Sequence, residues 1–156
     1  AVASVTLTGI DSDDVYMVAL NNVTLNTSGS GFYVRVTTSG TADSDSEYDI
    51  AYKVLRADNS FANTSNTNGN LWDLTTQYVA TGVSNNGILY LYNFNNSSEY
   101  SFITNETAFF WSGSNNLNGN QGGGVHTVAE TNDGIHFVSD SGRTFESGTF
   151  TLYKVI

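Results

Sequence analysis

The sequence predicts an all-β protein, an antiparallel β-sandwich of jelly-roll type, in a single domain over residues 1–156. Three observations lead there. Short segments alternate apolar and polar side chains, the period of a strand with one covered face. No stretch repeats its apolar residues at helical spacing. Asn, Asp, Ser and Gly clusters punctuate the segments at the short intervals typical of sandwiches and barrels.

Taken in order, the expected strands begin with Val5 to Ile10, which leads through the acidic turn Asp11 to Asp14 into Val15 to Leu20. Phe32 to Thr37 follows and stops at Ser39-Gly40. Tyr48 to Arg56 alternates over its whole length. Gln77 to Thr81 is a short apolar piece, and Ile88 to Phe94 a strongly apolar one. Tyr100 to Thr104, Ala108 to Ser112 and Ile135 to Ser139 come next. Gly148 to Val155 closes the series, with Phe150 and Leu152 on one face and Thr149, Thr151 and Tyr153 on the other. Ala57 to Asn70 and Ser112 to Gly124 are rich in Asn, Gly and Ser and read as surface loops, the second containing a flexible glycine run, Gly119 to Gly124.

Composition sets further bounds. The chain has no cysteine, which rules out a disulfide framework and a cysteine nucleophile, and no proline, so its turns fall to Asn, Asp, Ser and Gly. A chain so polar could remain disordered, but nine Tyr, nine Phe and two Trp supply the buried area that folding needs. A formal charge of −10, from fifteen acids against five lysines and arginines, argues against nucleic acid or an anionic membrane as partner. Residues 1–4 lack the basic start and apolar run of a secretory leader, and no segment has the length of a membrane span.

Catalytic motifs are missing from the pattern. Neither G-x-S-x-G nor H-E-x-x-H occurs, and His126 and His136 stand in unrelated sequence settings. No catalytic residue, cofactor-binding residue or metal ligand is assigned, and no cofactor is expected. The acidic runs Asp11 to Asp14 and Asp43 to Asp49 offer hard oxygen donors of the kind calcium takes, but neither has the EF-hand spacing, and self-bonded solvated turns are the simpler expectation.

One strand stands out. In Ile88 to Phe94, Leu89 and Leu91 line one face, while Ile88, Tyr90, Tyr92 and Phe94 alternate onto the other, so both faces require cover, the second from the two long loops of the same domain, another subunit or a partner surface. Ala108 to Trp111 has the same character. Tyr90, Tyr92, Phe94, Trp111 and Tyr153 are the candidate interface residues if a partner covers the face; exposed aromatics such as Trp72, Trp111 and Tyr90 could stack on sugars, although tryptophan in a small β-sandwich is more often a core residue.

The final segment, Ser147-Gly148-Thr149-Phe150-Thr151-Leu152-Tyr153-Lys154, resembles the closing strand of a group of small β-sandwich proteins in the virions of tailed bacteriophages, of the form S-G-(T/S)-x-x-L-Y-G. Lys154 replaces the usual glycine. Leu7 to Ile10 with Val15 to Leu20 and Gly31 to Val36 is similar to the opening hairpin of that group, and Gly87 to Phe94 with Ser97 to Ile103 to its central pair, in the same order. The resemblance implies a virion protein at the capsid surface, a decoration or cement protein, with the major capsid protein and its own copies in a homotrimer as partners. A tail-fibre or head-appendage module binding a host surface glycan is the alternative. The head is favoured because the chain has neither heptads nor repeats from which a fibre shaft would be built.

Overall fold

The computed structural model describes residues 1–140 and 142–155. Among the described residues, twelve strands form two antiparallel sheets packed as a sandwich, and no helix occurs. The strands are β1 (Ser4–Thr8), β2 (Tyr16–Leu25), β3 (Phe32–Thr38), β4 (Thr41–Ala42), β5 (Tyr48–Arg56), β6 (Phe61–Gly69), β7 (Trp72–Asp73), β8 (Asn85–Tyr92), β9 (Tyr100–Trp111), β10 (Asn116–Ala129), β11 (Gly134–Ser139) and β12 (Phe145–Lys154). The smaller sheet runs β1-β11-β3-β4, with β7 also paired to β3. The larger runs β12-β2-β8-β9-β10-β5-β6.

Alternation decides which side chains enter the core. Along β9, Ser101, Ile103, Asn105, Thr107 and Phe109 are buried while Phe102, Thr104, Glu106 and Ala108 are exposed. Val18 and Leu20 from β2, Leu89 and Leu91 from β8, and Ile50, Tyr52 and Val54 from β5 point the same way. All of these but Val54 join Val34, Val36, Ile135 and Phe137 of the smaller sheet in one core cluster. Trp72 is fully buried, edge-on to Tyr48 at 5.1 Å and tilted against Phe94 at 6.3 Å. A second aromatic group joins Phe137 and Phe145 to Phe150 of β12, at 4.9 and 5.2 Å.

Several sequence expectations are corrected. The two polar "loops" are largely strand. β6, within Ala57 to Asn70, pairs with β5 across a turn in which Asp58 accepts from the Ser60 amide at 2.9 Å and Asn59 takes a left-handed conformation (φ 64°). An edge strand of this kind is held by backbone bonds, so its side chains need not alternate. β10, which absorbs the glycine run, is central, paired to β9 on one side and β5 on the other. Its glycines are there for room: a Cβ on Gly124 would lie 2.6 Å from the Trp72 indole, and one on Gly122 would collide with the Ala51 carbonyl. The two segments expected within residues 100–112 form one strand, β9. Gln77 to Thr81 is not a strand; only Val79 bridges, to Ser30 and Trp111.

Candidate functional site

The most unusual feature is the outer face of the larger sheet. Strand registers align one row of outward side chains as Tyr153, Met17, Tyr90, Thr104, Gly123, Ala51 and Ser65, running across the sheet from β12 to β6. The next row reads Thr151, Ala19, Ile88, Glu106, Gln121, Lys53 and Asn63. The row beyond it contains Asn86, Ala108, Gly119, Leu55 and Phe61.

Large apolar residues therefore stand exposed among small ones. Ile88 is 42% exposed, Tyr90 39%, Phe102 42%, Leu55 40% and Phe61 61%. An antiparallel sheet with one wet face ordinarily carries polar residues there, so this surface is apolar beyond what solvent requires. Between the tall side chains, Ala19, Ala108 and Gly119 leave low ground. Ile88, Tyr90, Thr104, Glu106 and Gln121 line a depression of about 350 Å³. A broader one of about 580 Å³ adjoins it, sharing Ile88, Glu106 and Gln121 and reaching Ala19, Leu55, Asn86 and Ala108. Gln121 Nε2 donates to Glu106 Oε1 at 2.7 Å, fixing both amide and carboxylate at the centre of the face. The Lys53 ammonium lies 5.6 Å from the centre of the Phe61 ring.

The sequence-derived candidates separate on this map. Tyr90, Tyr92 and Tyr153 share the outer face; Tyr90 and Tyr153 share one row, while Tyr92 is half-buried. Phe94 does not join them. β8 ends at Tyr92, Asn93 takes a left-handed conformation (φ 58°), and the chain turns so that Phe94 enters the core, fully buried. Trp111 sits at the far end of β9, half-buried under the Arg56 guanidinium at 5.3 Å. Trp72 is a core residue, unavailable for stacking on a sugar. Phe102, Leu55, Phe61 and Leu117 belong to the exposed apolar set and were not singled out from sequence; only the pairing of β9, β10, β5 and β6 brings them together.

A second cluster lies at one end of the sandwich. His126 of β10 points inward, is fully buried, and tilts against the Tyr48 ring at 4.9 Å. Three carboxylates surround it: Nε2 lies 2.8 Å from Asp43 and 3.3 Å from Glu47, and Nδ1 lies 4.0 Å from Glu130. Sequence reading grouped Asp43 with Glu47 in one acidic run but connected neither to His126 nor to Glu130. The pairing of Tyr48 with His126 in the β5–β10 ladder closes the gap, and the Thr127 amide donating to the Glu47 carbonyl at 2.8 Å ties down the entry to β5. Burial opposes ionisation of Asp43, but the Asp45 amide and His126 outweigh it and hold its carboxyl below the usual range. Glu47 is pushed up, by desolvation first and then by the Asp43 charge.

The other acidic run is accounted for internally. Asp11 accepts from the Tyr16 hydroxyl at 2.9 Å, which lowers its pKa, and Asp14 pairs with Lys154 at 2.8 Å. His136 lies in the smaller sheet, its Nδ1 2.8 Å from the Thr6 hydroxyl, and burial together with Arg35 lowers its pKa.

Comparison with protein-family models, curated proteins and solved structures finds no match to the chain. What the protein does is therefore argued from its own surface.

Proposed function

We propose that the chain is a non-enzymatic structural protein of a tailed-phage virion, a capsid decoration protein that seats the outer face of its larger sheet on the shell. The observation that carries this reading is the outer face on which Tyr153, Tyr90, Ile88, Phe102 and Leu55 stand exposed, laid out on a hydrogen-bonded sheet. Burying that surface against the major capsid protein, or against neighbouring copies in a trimer, would stabilise the assembled shell by binding it in preference to its separated subunits. The net charge of −10 would help to keep the decorated particle soluble.

Undecorated heads of the phage that encodes the chain, mixed with purified protein and sedimented, provide the test. Saturable binding at a fixed number of copies per head supports the role; a protein that stays in the supernatant at all concentrations removes it.

A second reading, a glycan-binding appendage module, has its own observation: the depression beside Tyr90 combines an aromatic wall with the Glu106–Gln121 hydrogen-bonding pair. Saturable binding on a glycan array that is lost in Gln121→Ala, together with failure to bind heads, would favour it.

A further inference from the structure

We propose that Asp43, His126 and Glu130, with Glu47 at the rim, form a binding site for a divalent transition ion of the zinc type. The sheet-face reading above does not use these residues, and the proposal is independent of it.

One donor atom from each of Asp43, His126 and Glu130 lies within 4.8 Å of the other two, so some point is within about 2.8 Å of all three, against the roughly 2.1 Å of a zinc bond. With His126 held fixed, shifts of up to about 1 Å at the carboxylates would complete the contacts. Those carboxylates can move: the side chains of Asp43, Glu47 and Glu130 are 19%, 34% and 33% exposed, which also gives an ion its way in. His126 is the rigid member, buried at the floor and packed on Tyr48.

Two features indicate that the cluster is incomplete without a ligand. The first is His126 Nδ1, which is buried and has no hydrogen-bond partner among the described residues. At 4.0 Å, Glu130 is beyond hydrogen-bond reach of it. Such an atom is seldom left alone in a folded protein. Nε2 faces Asp43 and Glu47 while Nδ1 lies nearest Glu130, so an ion taken by one ring nitrogen leaves a carboxylate beside the other to orient the imidazole. The second feature is charge. Among the described residues no lysine or arginine forms an ion pair with Asp43, Glu47 or Glu130, so three carboxylates share one imidazole. A dication would offset their mutual repulsion where the ring alone offsets little.

The donors select the ion class. An imidazole nitrogen with carboxylate oxygens suits zinc or a neighbouring first-row ion, whereas calcium takes oxygen donors alone and more of them. The Thr38 hydroxyl, 3.4 Å from Glu130 Oε1, helps to place that carboxylate.

The experiment is calorimetric titration of the full metal-free chain with zinc chloride, paralleled by thermal unfolding with and without the ion. The expected result is one saturable site per chain, a raised unfolding temperature, and affinity weakened at least tenfold by Asp43→Asn or Glu130→Gln. His136→Gln should leave binding unchanged. Unfolding in the absence of metal verifies that each variant is folded. Absence of saturable binding at millimolar zinc, equal binding by wild type and both carboxylate variants, loss of binding in His136→Gln, or tighter binding of calcium than of zinc would each overturn the proposal.

Discussion

Tyr90 and Phe94 lie four residues apart, and substituting each by alanine should separate surface from core. Phe94 is fully buried against Trp72, so Phe94→Ala removes a whole aromatic side chain and leaves a cavity; comparable truncations lower folding stability by about 3–5 kcal/mol. Tyr90 is 39% exposed and stands on the outer face. If a tyrosine offers roughly 200 Å², about 80 Å² of Tyr90 remains to be buried by a partner, worth about 2 kcal/mol at ~25 cal/mol per Å². Tyr90→Ala should therefore weaken association with its partner by about thirtyfold and lower monomer stability by less than Phe94→Ala does. Urea denaturation of both variants at equal concentration reads the folding half, and sedimentation with undecorated heads over a concentration series reads the binding half. Two results would refute the reasoning. Equal stability losses would mean that Tyr90 packs as a core residue does, and head binding unchanged in Tyr90→Ala would mean that a different face meets the shell.

Other outcomes follow from the same structure. Gly124→Ala should destabilise the fold by about 1–3 kcal/mol, because the new methyl would meet the Trp72 indole 2.6 Å away; a neutral effect in thermal unfolding would show that Trp72 can withdraw. His136 has a folded-state pKa below its unfolded value near 6.5. The stability it contributes is thus present above that value and is lost as pH falls through the lowered folded pKa, and the difference in stability between wild type and His136→Gln should shrink accordingly in denaturation series from pH 7.5 to 5. Lys154→Gln removes an exposed pair with Asp14 and should leave the unfolding temperature within experimental error at moderate salt.

The β-sandwich was legible where burial follows alternation. β2, β3, β5, β8 and β11 all contain the apolar residues that the core demands, and their places in the sequence were recognised on that ground. β10 was not, because its inward positions are Asn118, Asn120, Gly122, Gly124 and His126. Each has a structural reason that leaves no hydrophobic signal. Asn120 donates to the Leu74 carbonyl at 3.0 Å and accepts from Thr76 at 3.0 Å, so a buried amide replaces an apolar side chain. Gly124 leaves its volume to Trp72, which arrives from the other sheet. A central strand can therefore read as a loop when the residues that fill its side of the core belong to another part of the chain.

The candidate sites were legible to different degrees for the same reason. Tyr90 and Tyr92 were found because their partners on β8 lie next to them in sequence, and a doubly apolar strand is visible locally. Phe94 was placed on the wrong side because a single left-handed residue, Asn93, ends the alternation, and asparagine is one of the few residues that adopts this conformation readily. The His126 cluster was half visible: the Asp43 to Glu47 run reads locally as a group of hard donors, but nothing local ties it to His126 or Glu130. Its carboxylates come from the two ends of the Asp43 to Glu47 turn and from Glu130, and only the antiparallel register of β5 against β10 sets Tyr48 opposite His126 and brings all four together. A one-residue slip of that register would turn His126 to solvent and dissolve the cluster. The glycines of β10, by permitting the close approach of Ala51 and Trp72, are thus part of what holds the histidine in its cage.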